Sequence, residues 1–303
     1  MDKYKKLTVK EYFNRYGFIN GIRRAFFLKN KFHLIHDEEL IKNIYFRKMY
    51  NKLNSFYRKH KNDIPKGIIY NSDVESPIWV LWKQGLDNAP LIVKKCVQSI
   101  KKHCCNKPVI VLSEENVSNY IIMPDMKNKN ISPALYSDLL RFTLLEHYGG
   151  IWIDATVLLT SDIPQFIFDS DYFCFFDDTC MIKNYALMCN WFISCKKNNV
   201  IAYETRNLLY AYVNRYKNIP EYLICYIFST LSKDNNSDFY ISNLCSNNTR
   251  LLFKSLDSKF NYNIWNNILN ASFLHKVTYK ITNDILEDSE NIYNFLIGDM
   301  SDV

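Results

Sequence analysis

The sequence predicts an α/β fold, a mixed and mostly parallel sheet flanked by helices, preceded by a helical N-terminal arm. Three observations predict it. Short apolar runs at 78–82 and 108–113 alternate with helical segments beginning at 88 and 113, the rhythm of a parallel sheet with crossover helices. A helix apolar almost all round, 134–148, ends at Gly149-Gly150 and leads directly into Ile151-Trp152-Ile153. The composition is globular: 303 residues, 48% hydrophobic and 23% charged, enough to bury a core without disulfide or metal staples.

The elements follow in order. Residues 1–62 are basic and aromatic, and Leu40, Ile41, Ile44, Tyr45, Met49, Leu53 and Phe56 recur at helical spacing within 37–59. This arm either packs on the main domain or touches anionic lipid. The charge comes with no recognition module, so nucleic acid is not expected as a partner. Ile64-Pro65-Lys66 marks a boundary, because proline disfavours helix at the residue before it. Two units result: a helical arm over 1–62 and a main domain over 63–303.

Ile78-Trp79-Val80-Leu81-Trp82 reads as a buried strand ending at Lys83-Gln84-Gly85, and Asn88-Ala89-Pro90 opens a helix reaching about residue 103. Residues 108–113 form the next strand, and Ser113-Glu114-Glu115-Asn116 begins a short helix. Ser132-Pro133 caps the helix over 134–148, and the glycine pair ends it. Residues 151–159 are two strand pieces interrupted by Asp154-Ala155-Thr156.

The net charge of +7 fits a phosphate-bearing partner without choosing among nucleotides, nucleic acids and anionic membranes. The nine cysteines lack a Cys-x-x-Cys pair and lie mostly in apolar runs, as reduced buried thiols do. There is no secretory signal and no apolar run near the roughly 20 residues of a membrane span, so a cytoplasmic protein is expected, with the inner face of the cell membrane as the alternative. Phosphate-loop and dinucleotide glycine signatures are absent, so a bound nucleotide is held by other means.

The chemistry concentrates between residues 131 and 159. Asp138 and Arg141 lie three apart on an otherwise apolar helix and so share a face. Charges there must pair or face a cleft. Asp154 interrupts an apolar strand, where a carboxylate packs poorly but is well placed to hold a divalent cation through hard oxygen.

Ser137-Asp138-Leu139-Leu140-Arg141, followed by Tyr148-Gly149-Gly150-Ile151-Trp152-Ile153-Asp154, resembles the DXD-sugar-binding glycosyltransferases, and within them the capsular polysaccharide synthesis branch. Ile64-Pro65-Lys66, Trp82-x-Gln84-Gly85 with Ala89-Pro90, Asn190-Trp191-Phe192-Ile193 and His275-Lys276 agree in order and spacing, so the resemblance spans about residues 64–280. It implies a GT-A-like, Rossmann-type fold and transfer of a sugar from a nucleoside diphosphate sugar. The acceptor it implies is a saccharide, free or lipid-linked, in cell-surface polysaccharide synthesis, with the anomeric configuration retained.

The resemblance also implies roles. Asp138 contacts the nucleotide or sugar and Arg141 supports the donor. The Asp-x-Asp segment binds Mn²⁺ or Mg²⁺ and the diphosphate. Here Thr156 stands where the second carboxylate would be, a form the capsular branch shares. His275 is expected as a second metal ligand with Asp154, and Lys276 as a phosphate contact, against a surface basic pair. Trp82 and Gln84 are expected near the base. Asn190 is expected near the anomeric carbon, and Asp178 of Asp177-Asp178 near the acceptor hydroxyl, against an ordinary strand-end amide and an exposed acidic turn. Cys225 stands in the run 222–228 where an acid or histidine is expected. The second reading keeps the fold but not the turnover: a catalytically weak binding or scaffold protein of the same pathway.

Overall fold

A computed structural model describes residues 38–126, 131–177, 187–216, 221–236 and 241–298, with isolated positions before 38. Six strands form its central sheet. In spatial order they are β3 (Val109–Leu112), β2 (Ile78–Leu81), β5 (Gly150–Ile153), β8 (Leu187–Cys195), β7 (Tyr172–Asp177) and β9 (Ile241–Cys245). β2 runs parallel to β3 and β5, and β7 runs parallel to β9. β8 is antiparallel to both of its neighbours, β5 and β7. The sheet is therefore mixed and mostly parallel, as the sequence predicts, and its reversed strand is β8. Two strand pairs lie outside it: β1 (Ile69–Tyr70) with β4 (Ile121–Ile122), and β6 (Val157–Leu159) with β10 (Leu274–Lys276).

Strand alternation divides the core in two. Trp79 and Trp152 face one layer, made by α1 (Glu38–His60), α3 (Pro133–Tyr148), α5 (Val200–Arg215) and α6 (Glu221–Asn235). Ile78, Val80, Ile151 and Ile153 face the other, made by α2 (Leu91–Lys102), α8 (Tyr262–Asn270) and α10 (Ile292–Ile297) with the short helices α4 (Gln165–Asp169), α7 (Leu251–Ser255) and α9 (Asn283–Glu287). Both faces are covered, which is why the strands read as continuous apolar runs. From α1, Leu53 and Tyr57 are buried in the first layer, and the Tyr57 hydroxyl donates to Glu204 at 2.8 Å.

Helix α3 forms where its capping residues predict. The Ser132 hydroxyl accepts from the Leu135 amide at 3.2 Å, Pro133 fills the first helical position, and Gly149 ends the helix at φ +67°. Gly150 then passes hard against the start of β2. Its φ is +93°, and a Cβ there would meet the Pro77 carbonyl oxygen at 2.1 Å. This turn delivers β5, and Asp154 at its end, next to β2.

The helix expected to begin at 113 does not extend. The Asn116 side chain accepts from the Ser113 amide at 2.8 Å and holds a turn instead, followed by a single 3₁₀ turn at Val117–Asn119. Five of the cysteines, 96, 174, 189, 195 and 225, are buried free thiols, and burial pushes Cys96 up to about 12. Cys180 lies outside the described residues. Among the described residues, no helix is long and apolar enough to cross a membrane.

Candidate active site

β2 and β5 end side by side, and a cleft of about 680 Å³ opens beyond their carboxyl ends, where open α/β sheets receive ligands. Its floor is the start of α3, which contributes Ser137, Asp138 and Arg141. Its flank is the turn after β2, where Gly85 at φ +78° bends the chain and sets Trp82, Lys83 and Gln84 along the wall. A second cleft, of about 450 Å³, shares Asp154, Thr156, Trp191, Tyr226 and Tyr279 with the first and adds Arg250, Lys276 and Lys280. Lys83, Arg141, Arg250, Lys276 and Lys280 thus outnumber the two carboxylates, Asp138 and Asp154, along these walls. Such a lining suits an anionic ligand.

One chain of polar contacts runs through the centre. Arg141 donates to Asp138 Oδ1 at 2.8 Å and to Asp154 Oδ1 at 3.0 Å, and its guanidinium lies 4.9 Å from the centre of the Trp152 ring. Trp152 Nε1 donates to the same Asp154 oxygen at 3.0 Å. Lys276 Nζ donates to Asp154 Oδ2 at 3.0 Å and to Thr156 Oγ1 at 2.5 Å. Local structure explains the convergence. Asp138 and Arg141 share a helical face, Trp152 and Asp154 share a strand face, and the β6–β10 pairing sets Lys276 opposite Val157.

Electrostatics keeps the group ionised. Burial opposes charge on Asp154, but Lys276, Arg141 and the Trp152 bond outweigh it, and the carboxyl sits below its usual range. Burial likewise opposes charge on Arg141, and Asp154 and Asp138 more than offset it, so the guanidinium stays charged. Among the described residues, three donors on the cleft-lining side chains lack a protein partner: Trp82 Nε1, Arg141 Nε and Trp191 Nε1 are buried and unpaired. Buried polar groups in folded proteins are nearly always satisfied, so open donors in a cleft point to an oxygen-bearing ligand.

The structure brings together Trp82, Gln84, Asp138, Arg141, Asp154 and Lys276 from the residues singled out by sequence. It does not bring His275 to them. On the three-residue strand β10, adjacent side chains point to opposite faces. Lys276 takes the position beside Asp154, while His275 is fully buried. Burial lowers the His275 pKa to about 4, against smaller raising effects from the backbone at Leu269 and Ser272, so the ring is neutral.

Asn190 is also fully buried, and its Oδ1 accepts from Ser229 of α6 at 3.3 Å, whereas its neighbour Trp191 lines both clefts. Asp177 pairs with Arg250 at 3.2 Å, and Asp178 lies outside the described residues. Cys225 is fully buried, with its thiol pushed far up by burial, so it is no nucleophile.

The sequence reading missed Trp152, Tyr226, Arg250 and Tyr279. Trp152 was open to a parity argument, being two residues before Asp154 on one strand. Tyr279 packs edge-on against Trp82, with ring centres 5.2 Å apart, and only the fold brings that pair together.

The model of the family described as "Capsular polysaccharide synthesis protein" matches residues 23–296. By structure the chain is similar to a solved "PaToxG Glycosyltransferase", with a TM-score of 0.36 and 15% identity, over 86% of this chain and 97% of that one. No curated protein matches the chain.

Proposed function

The chain belongs to the capsular polysaccharide synthesis protein family, and from that premise we propose that it is a glycosyltransferase using a nucleoside diphosphate sugar. The reading rests on one observation: Asp138, Arg141, Asp154 and Lys276 form a continuous hydrogen-bonded group in a cleft beyond the carboxyl ends of β2 and β5. Sugar transfer breaks the bond between the anomeric carbon and a diphosphate oxygen, and negative charge grows on the leaving group. Fixed cations there stabilise the transition state more than the ground state.

In this reading Trp82 and Tyr279 hold the base, with Gln84 beside them. Asp138 accepts from a hydroxyl of the nucleoside or sugar, and Arg141 and Lys276 face the diphosphate. Asp154 is engaged on both oxygens and makes a poor nucleophile. A front-face displacement therefore asks least of this chain. The acceptor hydroxyl bonds to the anomeric carbon as the carbon–phosphate oxygen bond breaks, its proton passes to the departing phosphate oxygen, and configuration is retained. The reading assigns no step to Asn190 or His275, whose side chains are buried away from both clefts. The acceptor is a saccharide, free or lipid-linked, met at the inner face of the membrane.

Thr156, in place of a second carboxylate, favours a second reading: donor binding without turnover. Chromatography of reactions containing a panel of nucleotide-sugars and oligosaccharide acceptors separates the two. We expect transfer by the wild type and a loss of about 100-fold or more in Asp138→Asn and Asp154→Asn. Transfer unchanged in both variants overturns the site. Donor binding by a wild type that does not turn over selects the second reading.

A further inference from the structure

A divalent cation at a diphosphate site takes oxygen ligands, commonly one or two carboxylates completed by phosphate and water. The turn after β5 offers two side-chain oxygen donors, Asp154 and Thr156. Asp154 Oδ1 already accepts from Arg141 and Trp152, and Asp154 Oδ2 and Thr156 Oγ1 both accept from the ammonium of Lys276. A metal ion between Asp154 and Thr156 would have to expel that ammonium or sit against it. His275, expected as the second ligand, is in the core. Among the described residues, no group of three or more His, Cys, Asp or Glu side chains is arranged to hold a metal. The donor set does not fit a resident divalent cation.

We propose that Lys276 occupies the cation's place, so that this chain binds the diphosphate of its donor without a divalent metal. The inference rests on the glycosyltransferase reading above and adds the nature of the cation that faces the diphosphate. An ammonium has three N–H donors. Asp154 and Thr156 take two, which fixes the group on the wall of the second cleft and leaves one for a phosphate oxygen. The arrangement also accounts for Thr156. A hydroxyl anchors the ammonium without charge, whereas a second carboxylate would neutralise it and repel the diphosphate.

The test is calorimetric titration of the full chain with inorganic pyrophosphate and with UDP, GDP, CDP, ADP and dTDP, once in EDTA and once in Mn²⁺. In EDTA we expect pyrophosphate and at least one nucleoside diphosphate to bind, with Kd within about threefold of the Mn²⁺ value. Lys276→Ala should weaken binding in EDTA by about tenfold or more, Lys276→Arg should retain most of it, and Mn²⁺ should restore part of the alanine variant's loss.

Wild-type binding that requires Mn²⁺ overturns the inference and leaves the donor-binding reading standing. So does full affinity of a folded Lys276→Ala in EDTA. Binding of none of these ligands under either condition overturns the glycosyltransferase reading, and the inference with it. Circular dichroism melts check the fold of each variant. If the alanine variant does not fold, the wild-type comparison of EDTA with Mn²⁺ decides alone.

Discussion

Gly150→Ala should be among the most damaging single-methyl changes in this chain. Glycine there holds φ +93°, and an added Cβ falls 2.1 Å from the Pro77 carbonyl oxygen, 2.7 Å from Ser76 C and 2.8 Å from Pro77 N. All three are backbone atoms, so no side chain can swing away. Strain at such a φ costs about 1–3 kcal/mol. The Pro77 oxygen also accepts from the Ile151 amide at 2.9 Å, and displacing it forfeits about 1 kcal/mol. Overpacking between β2 and β5 adds about 1–3 kcal/mol. The total is about 5 kcal/mol.

Gly85→Ala is the control. It has a similar φ, +78°, but nothing within 4 Å of the added Cβ, so backbone strain of about 1 kcal/mol is all it should cost. At about 2 °C per kcal/mol for a chain of this size, scanning calorimetry should find melting lowered by about 10 °C for Gly150→Ala and about 2 °C for Gly85→Ala. Equal shifts, or a larger one at Gly85, would refute the claim that the close passage past Pro77 rather than the dihedral angle dominates.

Two further outcomes are expected. Trp82→Ala removes the indole that meets Tyr279 edge-on and the surface it offers to a base, and should raise the KM for the donor about tenfold with a smaller change in kcat, measured by initial rates. His275 has a pKa lowered from 6.5 to about 4, so the unfolded chain takes up its proton first. Its contribution to stability is complete above pH 6.5 and falls as pH drops toward 4, by about 3 kcal/mol in all. Urea denaturation at a series of pH values should show this loss in the wild type and its absence in His275→Leu.

What the sequence made legible was local. The Ser132 cap, the charged pair at 138 and 141 and the glycines at 149 and 150 are signals within one helix and the turn that ends it, and each stands where read. The neighbourhood of Asp154 was legible as an interruption in an apolar run. Which of His275 and Lys276 meets it was not. On a three-residue strand the two point to opposite faces, and only the register of β10 against β6 settles which one looks inward. The second cleft is assembled from α6, the segment around Arg250 and the chain after β10, which no sequence window contains together. The turn at 113–116 went the other way, because one asparagine side chain captured a backbone amide that a helix would have left open.

The contact between Lys276 and Asp154 spans 122 residues. While the chain is being made, Asp154 leaves the ribosome with Arg141 already available and Lys276 not yet translated. A chain ending before β10 would carry Asp154 with Arg141 as its counter-charge and without the ammonium of Lys276, so the charge balance of the cleft is set by the last fifth of the sequence.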